Sequence, residues 1–199
     1  MPAIVSAQEI QWKNTVDIDF GITGVDRKYA LAIVRELIRE QWPDQRRGGQ
    51  CVYVVRLTGD FAVHYPKRHS PVIYIGEGDA YARVTEHAGK WLVDLVTAIP
   101  RVGISIRVAE ALRRGRQDFY QYIEADMLRM FRERNGSVPW FNRQSERSRE
   151  GRFEYSDDAL REIRTHLGIG RGTSYKWAIR PTSNNDAREP YMKGRERQA

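Results

Sequence analysis

The chain has a single cysteine among its 199 residues, and it has no apolar run approaching the roughly 18 residues that a membrane-spanning helix needs. One cysteine excludes an internal disulfide framework and any zinc site built from several cysteines, and it suits a reducing compartment. The first twenty residues include Glu9, Asp17 and Asp19 and lack the apolar stretch of a signal peptide. We therefore expect a cytoplasmic protein with no membrane partner.

An excess of acidic residues is also missing, and the basic excess is confined to one half of the chain. Residues 1–100 hold twelve basic and twelve acidic residues, whereas residues 101–199 hold 21 basic and 14 acidic residues. Nineteen of those 21 are arginine, whose planar guanidinium binds phosphate through two parallel hydrogen bonds. The asymmetry favours a nucleic-acid partner. Arginine enrichment through genomic base bias, on a merely solvated surface, is the alternative.

The apolar patterns divide the chain into a central unit with flanking segments. We predict an N-terminal arm and helix in residues 1–50, a core in 51–145 and a basic extension in 146–180. The last segment, 181–199, is dominated by Asn, Arg, Glu and Gly, which favours a disordered tail.

The same patterns predict individual elements. Runs of apolar and alternating residues predict strands at 51–58, 71–76 and 103–109, with a last strand at 175–179. Apolar residues at helical spacing predict helices at 26–41, 80–98, 117–134 and 157–167. The segment 59–71, rich in glycine, proline and basic residues, is predicted to be a loop. Together they indicate an α/β fold with a small, mostly antiparallel central sheet flanked by helices, and with an N-terminal helical extension.

Two of the predicted strands each carry a tyrosine beside a short motif. The first begins with CVY at 51–53 and the second contains YIG at 74–76. The helix that follows places Arg83 and His87 one turn apart on one face. Further on, Glu124 lies within the helix at 117–134, and Asn142 follows a Pro-Trp-Phe turn.

This ordered set resembles the GIY-YIG nuclease family, whose members are metal-dependent enzymes that cut phosphodiester backbones. CVY stands for the first family triplet, with Cys51 in place of the usual leading glycine, and YIG is matched in full. The resemblance covers about residues 50–145. The arginine–histidine pair and the long separation of the two tyrosines are closest to the restriction-endonuclease-like branch.

The resemblance implies that Tyr53 takes the proton from the attacking water. Because free tyrosine titrates near ~10, a nearby Arg83 or a metal ion has to favour its phenolate. We expect Tyr74 to hydrogen-bond the phosphate or orient the water, and Arg83 to grip the scissile phosphate. His87 is expected to contact the leaving group or the water, and Asn142 to present its amide to the site.

Glu124 is the predicted metal ligand. Its sequence neighbours are largely apolar, and an unpaired carboxylate among them would be costly. A hard cation such as Mg²⁺, or Mn²⁺ in its place, is commonly held by one carboxylate, several waters and the substrate phosphate. The alternative is an ordinary helix glutamate that is exposed or paired with a lysine or arginine.

Five basic residues are predicted to contact DNA. Two lie in the 59–71 segment and three in the arginine-rich stretch after the helix at 117–134, namely Lys67, Arg68, Arg143, Arg147 and Arg149. Because each chain would carry one active site, cutting both strands requires a homodimer on DNA or two sequential nicks.

The sequence thus predicts a Mg²⁺-dependent DNA endonuclease of restriction or defence type. Two alternatives stay open at this stage. One is a nucleic-acid-binding module that has the same fold without catalysis, and the other is a structure-specific nuclease or RNase.

Overall fold

A five-stranded sheet forms the centre of the protein. The computed structural model describes residues 3–13, 15–20, 25–42, 49–99, 101–142, 147–169 and 175–180. Ten strands lie within these residues: β1 (Ile4–Val5), β2 (Ile10–Trp12), β3 (Val16–Ile18), β4 (Cys51–Thr58), β5 (Phe61–His64), β6 (His69–Ser70), β7 (Val72–Gly78), β8 (Gly103–Ala111), β9 (Glu154–Tyr155) and β10 (Trp177–Ile179). The central sheet has the order β2–β8–β4–β7, and β3 also pairs with β8. All four of its pairings are antiparallel.

Five α-helices accompany the strands: α1 (Arg27–Gln41), α2 (Ala80–His87), α3 (Val93–Ala98), α4 (Phe119–Asn135) and α5 (Asp157–His166). Three of these helices have a capping side chain at the N-terminus. Asp26, Asp79 and Ser156 each accept a hydrogen bond from a backbone N–H of the first turn of α1, α2 and α5. The predicted α/β class, with a mostly antiparallel sheet flanked by helices, is confirmed. None of the helices in the described part of the chain is long and apolar enough to cross a membrane.

One hydrophobic core joins the centre to both flanks. Buried residues from the N-terminal arm, such as Ile10, belong to the same cluster as Val54 in β4 and Ile163 in α5. The arm contributes β2 and β3 to the central sheet, and β1 pairs in parallel with β9 of the basic extension. The segments on either side of residues 51–145 therefore pack as parts of one structure. The predicted tail at 181–199 lies outside the described residues.

The segment at 59–71 is not the predicted loop. It forms a hairpin in which β5 and β6 are antiparallel, with Val63 opposite Ser70, and β10 adds to β5 in parallel. Tyr65 in the turn is fully buried and donates its hydroxyl hydrogen bond to the backbone oxygen of Val72. The alternating apolar residues Phe61, Val63 and Tyr65 drive this pairing, and the surrounding basic and proline residues concealed the pattern.

The predicted helix at 80–98 is continuous, but its middle is widened. Between α2 and α3, residues Ala88–Leu92 adopt π-helical geometry, which is frequent at functional sites. The guanidinium of Arg27 donates to the carbonyl of Gly89 at 2.6 Å and to Asp94 at 2.7 Å. Helix α1 thereby stabilises the widened turn that directly follows His87.

Asp126 is a completely buried carboxylate that connects α4 to the basic extension. It accepts hydrogen bonds from the Tyr155 hydroxyl at 2.8 Å and from the backbone N–H of Gly151 at 2.7 Å. Arg129 donates to the same carboxylate at 3.3 Å. A buried charge is tolerated when it is bonded on several sides in this way.

We predict that Asp126→Ala lowers the free energy of unfolding by about 3 kcal/mol, because the Tyr155 hydroxyl, the Gly151 N–H and Arg129 lose the buried carboxylate that they share as an acceptor. Urea denaturation monitored by circular dichroism measures the change. The matched control is Asp158→Ala, whose carboxylate is 72% exposed and pairs with Arg161. That variant should change stability by less than about 1 kcal/mol. Equal effects of the two substitutions would show that the Asp126 contacts do not stabilise the fold.

Candidate active site

The two predicted catalytic tyrosines lie side by side on one face of the central sheet. In the β4–β7 pairing, Tyr53 is opposite Gly76 and Val55 is opposite Tyr74, so both tyrosines project to the same side. Their ring centroids are 5.8 Å apart. The predicted convergence of the two side chains is therefore present in the structure.

Gly76 provides the space for the Tyr53 ring. A β-carbon built at Gly76 would lie 2.6 Å from Cζ and Oη of Tyr53 and from Cε1 of Tyr74. Real β-carbons do not approach other atoms so closely, so any larger residue would displace a tyrosine. The glycine of the YIG triplet is thus required for a steric reason: the Tyr53 side chain of the neighbouring strand occupies the space beside it.

His87 contacts Tyr53 from helix α2. Its Nε2 lies 3.0 Å from the Tyr53 hydroxyl oxygen, and the indole N–H of Trp91 donates to its Nδ1 at 3.3 Å. Burial is the main cause that lowers the pKa of His87 to about 4, and the positive charge of Arg83 acts in the same direction. The ring is therefore neutral at pH 7. An indole nitrogen can only donate, so Nδ1 accepts and the single ring proton is on Nε2. His87 consequently donates its hydrogen bond to Tyr53.

The Tyr53 hydroxyl is held as a neutral phenol by its surroundings. The side chain is completely buried, and burial together with the neighbouring Tyr74 raises its pKa far above the ordinary value. The charge of Arg83 acts in the opposite direction, as predicted, but the effect of burial is larger. Formation of the phenolate therefore requires further positive charge close to the ring.

Arg83 links the tyrosines to the solvent. It lies in α2 with a side chain that is 45% exposed, and it pairs with Glu86 at 3.0 Å. Partial burial acts to lower its pKa, but the Tyr53 and Tyr74 hydroxyls raise it on balance. A guanidinium held between two phenols and open water is placed to receive an anion.

A cleft of about 460 Å³ opens beside these groups. The half-buried side chain of Glu124 enters it from α4, opposite residues of β7 and α2. Its lining carries carboxylates, cations and aromatic rings: Tyr74, Glu77, Arg83, Glu86, His87, Lys90, Trp91, Glu124, Phe141, Asn142 and Arg149. Five of the six predicted catalytic residues thus line one cleft: Tyr74 from β7, Arg83 and His87 from α2, Glu124 from α4, and Asn142. The sixth, Tyr53, is buried and contacts His87.

Asn142 is at the cleft, but its amide binds the protein backbone. The side-chain oxygen accepts from the N–H of Ile75 at 2.9 Å, and the side-chain nitrogen donates to the carbonyl of Ile75 at 2.7 Å. Phe141 donates its backbone N–H to Ile73 in the same strand at 2.9 Å. The segment therefore covers the edge of β7 between Tyr74 and Gly76, and holds the YIG triplet in place.

The predicted DNA-contacting residues divide into two groups. Arg149 lines the cleft, whereas Lys67 and Arg68 do not. The Lys67 ammonium donates to the carbonyl of Glu133 at 3.1 Å, at the C-terminal end of α4, where a cation is favourable. Arg68 is exposed on the hairpin. Arg143 and the side chain of Arg147 lie outside the described residues.

Trp91 is a site residue that the sequence analysis did not assign. Its indole nitrogen fixes the tautomer of His87, and its ring stacks on Phe141 with centroids 4.1 Å apart. Its position four residues after His87 in a helix is a signal that could have identified it. Glu77 and Lys90 also line the cleft and were not predicted.

The donor set of the cleft fits a hard divalent cation. Within the described ranges, no three His, Cys, Asp or Glu side chains gather into a metal-binding group. Mg²⁺ rarely uses such a cage, since one or two carboxylates, waters and substrate phosphate oxygens complete its shell. Glu124 and Glu77, which both line the cleft, are carboxylates that could hold such a cation.

Comparisons of the chain with protein-family models, with curated proteins and with solved structures found no match.

We predict that His87 stays neutral down to about pH 4 and carries its proton on Nε2. Nitrogen-15 chemical shifts of the imidazole ring, recorded across a pH titration, report both properties. Trp91→Phe removes the only donor to Nδ1 that the structure shows, so the preference for the Nε2–H tautomer should weaken and the pKa should rise.

A wild-type His87 that titrates near the free-histidine value of ~6.5, or that carries its proton on Nδ1, would contradict this arrangement. His87→Asn identifies the signals of the ring by their loss.

Proposed function

We propose that the protein is a divalent-metal-dependent endonuclease of the GIY-YIG type, which hydrolyses phosphodiester bonds in DNA. The observation that carries the proposal is the convergence of Tyr74, Arg83, His87 and Glu124 on one cleft, with the Tyr53 hydroxyl bonded to His87. These five residues come from four separate elements, β4, β7, α2 and α4, and span residues 53 to 124 of the chain. Their order matches that of the family that the sequence resembles. The lone buried cysteine suits the proposed cytoplasmic location.

Arg83 is proposed to bind the scissile phosphate. Its partly exposed guanidinium can exchange the carboxylate of Glu86 for phosphate oxygens, and it then stabilises the charge that builds up in the transition state. The half-buried Tyr74 hydroxyl, on the same cleft wall, can donate to the same phosphate. Together the two side chains orient the phosphorus for in-line attack.

Tyr53, in its phenolate form, is the proposed acceptor of the proton of the attacking water. Two neighbouring groups stabilise the phenolate. His87 donates from Nε2 to the phenol oxygen, and Arg83 contributes its positive charge. Both interactions strengthen when the oxygen is negative. His87 itself is not the base toward Tyr53, because its only ring proton already points at that oxygen.

Glu124 would hold the metal ion, with Glu77 in reach of the same cleft. The bound cation supplies positive charge that favours ionisation near the tyrosines and offsets charge on the phosphate. Trp91 and Phe141, stacked on each other, exclude water from one side of this region.

A catalytically inactive nucleic-acid-binding module is the second candidate. The complete burial of Tyr53 favours it, because a base has to reach the proton that it takes. Cleavage assays on supercoiled DNA and on RNA, each with Mg²⁺ and with EDTA, separate the candidates. Binding without cleavage of either polymer would favour the module, and cleavage of RNA alone would reassign the substrate.

We predict that Glu124→Gln lowers the rate of Mg²⁺-dependent plasmid cleavage by at least about two to three orders of magnitude. The amide preserves the shape but removes the charge that binds the cation, and each ~1.4 kcal/mol of lost transition-state stabilisation is tenfold in rate. DNA affinity, measured by fluorescence anisotropy, should be retained or increased because a negative charge is removed from the cleft.

The matched control is Glu133→Gln on the same helix, since Glu133 is 60% exposed and pairs with Arg129 outside the cleft. It should cut at the wild-type rate. Near-wild-type cleavage by Glu124→Gln would show that the metal site has been assigned to the wrong residue.

We also predict that DNA binding weakens steeply with salt and that Arg149→Ala flattens this dependence. Each arginine–phosphate contact contributes about 0.9 to the slope of log affinity against log salt. Anisotropy titrations at several salt concentrations measure the slope. Arg161→Ala is the control, because Arg161 is 73% exposed and lies on α5 away from the cleft. Equal slopes for wild type and Arg149→Ala would mean that Arg149 does not contact phosphate.

A further inference from the structure

Two arginines lie on the face of the central sheet opposite to the tyrosines. Arg56 in β4 is paired with Ser105 in β8, and Arg107 in β8 is paired with Val54. Alternation along a strand places Arg56 and Arg107 on one face and Tyr53 on the other. Both arginines are half-buried, so part of each remains in contact with solvent. The proposed nuclease mechanism uses neither of them.

The surroundings of these arginines are rich in hydrogen-bond donors and poor in acceptors. His166, at the end of α5, stacks on Trp12 with ring centroids 3.5 Å apart. Arg56 donates to the His166 carbonyl at 3.4 Å, and a terminal nitrogen of Arg107 lies 3.5 Å from Nδ1 of His166. Both distances are at the long end for hydrogen bonds. These long contacts leave much of the donor capacity of the two guanidinium groups unused.

Two further donors beside His166 lack an acceptor within the described ranges. Nε of Arg107 and the indole nitrogen of Trp12 are buried, and neither has a hydrogen-bond acceptor in the described part of the chain. Buried donors are nearly always bonded in folded proteins, because burying an unpaired one is costly. Two buried donors without an acceptor among the described residues, beside two half-buried guanidinium groups, mark this face as a place where strong acceptors are in demand.

The charge in this cluster also lacks compensation. Among the described residues, no carboxylate forms an ion pair with Arg56 or Arg107. Burial, and to a lesser degree the charge of Arg107, lower the pKa of Arg56 to about 10, against a smaller opposing effect of the nearby Tyr175 phenol. Burial and the same two arginines lower the pKa of His166 to about 4, so the imidazole is neutral at pH 7. Water could satisfy the donors but could not offset the two positive charges.

We propose that the half-buried guanidinium groups of Arg56 and Arg107, which lie beside Trp12 and His166, form a binding site for a phosphate group on the sheet face opposite to the catalytic cleft. A phosphate carries the negative charge that the two arginines lack, and its several oxygens can accept hydrogen bonds from both guanidinium groups. The phosphate belongs either to a nucleic-acid backbone or to a free phosphate or phosphate monoester. The site stands on its own contacts and does not depend on nuclease activity.

Proton–nitrogen NMR spectra of the full chain test the site directly. The Trp12 indole N–H and the Arg107 Nε–H each give a signal, identified by its loss in Trp12→Phe and Arg107→Lys. Inorganic phosphate is titrated against sodium chloride at equal ionic strength, and dimethyl phosphate is titrated as a phosphodiester probe. We expect both signals to shift saturably with phosphate and to remain in place with chloride.

The two probes distinguish the sources of the phosphate. A response to dimethyl phosphate as well as to inorganic phosphate supports a nucleic-acid backbone, and a response to inorganic phosphate alone supports a free phosphate or monoester. Arg56→Gln should weaken the binding at least ten-fold, whereas Arg161→Gln, an exposed arginine on α5, should not alter it.

The absence of a saturable shift in the wild-type protein with either probe would overturn the proposal, and this result does not depend on whether any variant folds. Unchanged phosphate affinity in a folded Arg56→Gln protein would also overturn it.

Discussion

The contact between Tyr53 and Gly76 determines how the rest of the site is arranged. The Tyr53 ring fills the volume that a β-carbon at position 76 would occupy, and its hydroxyl then lies 3.0 Å from His87. That position requires a particular strand register between β4 and β7, since a shift by one residue would turn the tyrosine to the opposite face. The surrounding contacts maintain the register: Asn142 bonds both backbone groups of Ile75, and Phe141 bonds Ile73.

Competition between burial and charge controls the chemistry of this centre. Burial raises the pKa of Tyr53 more strongly than Arg83 lowers it, and burial also keeps His87 neutral. The protein alone therefore stabilises the neutral forms of both residues. Added positive charge in the cleft would shift the balance toward a phenolate, for which the donors His87 and Arg83 are already positioned. This arrangement would couple ionisation to the arrival of the cation.

The sequence predicted the main strands and helices because their apolar periodicity is strong. Strand pairing predicted that Tyr53 and Tyr74 would converge, and helical spacing placed Arg83 and His87 on one face. That Glu124 would join them was implied only by the resemblance to the GIY-YIG family. The sequence did not predict the hairpin at 59–71, whose apolar residues Phe61, Val63 and Tyr65 are flanked by glycine, proline and basic residues that are typical of a loop. The two hydrogen bonds of Asn142 to Ile75 and the π-helical turn that contains Trp91 depend on tertiary contacts, which local patterns do not encode.

The most direct measurement of the central claim, that Glu124 holds a divalent cation beside the paired tyrosines, is paramagnetic broadening by Mn²⁺. Small amounts of Mn²⁺ are added to the protein bound to a short DNA duplex, and the indole N–H signals are followed. The account predicts selective broadening of Trp91, in the cleft, while Trp12, on the opposite sheet face, is much less affected, and loss of this selectivity in Glu124→Gln. Equal broadening of both indoles, or an unchanged pattern in Glu124→Gln, would contradict it.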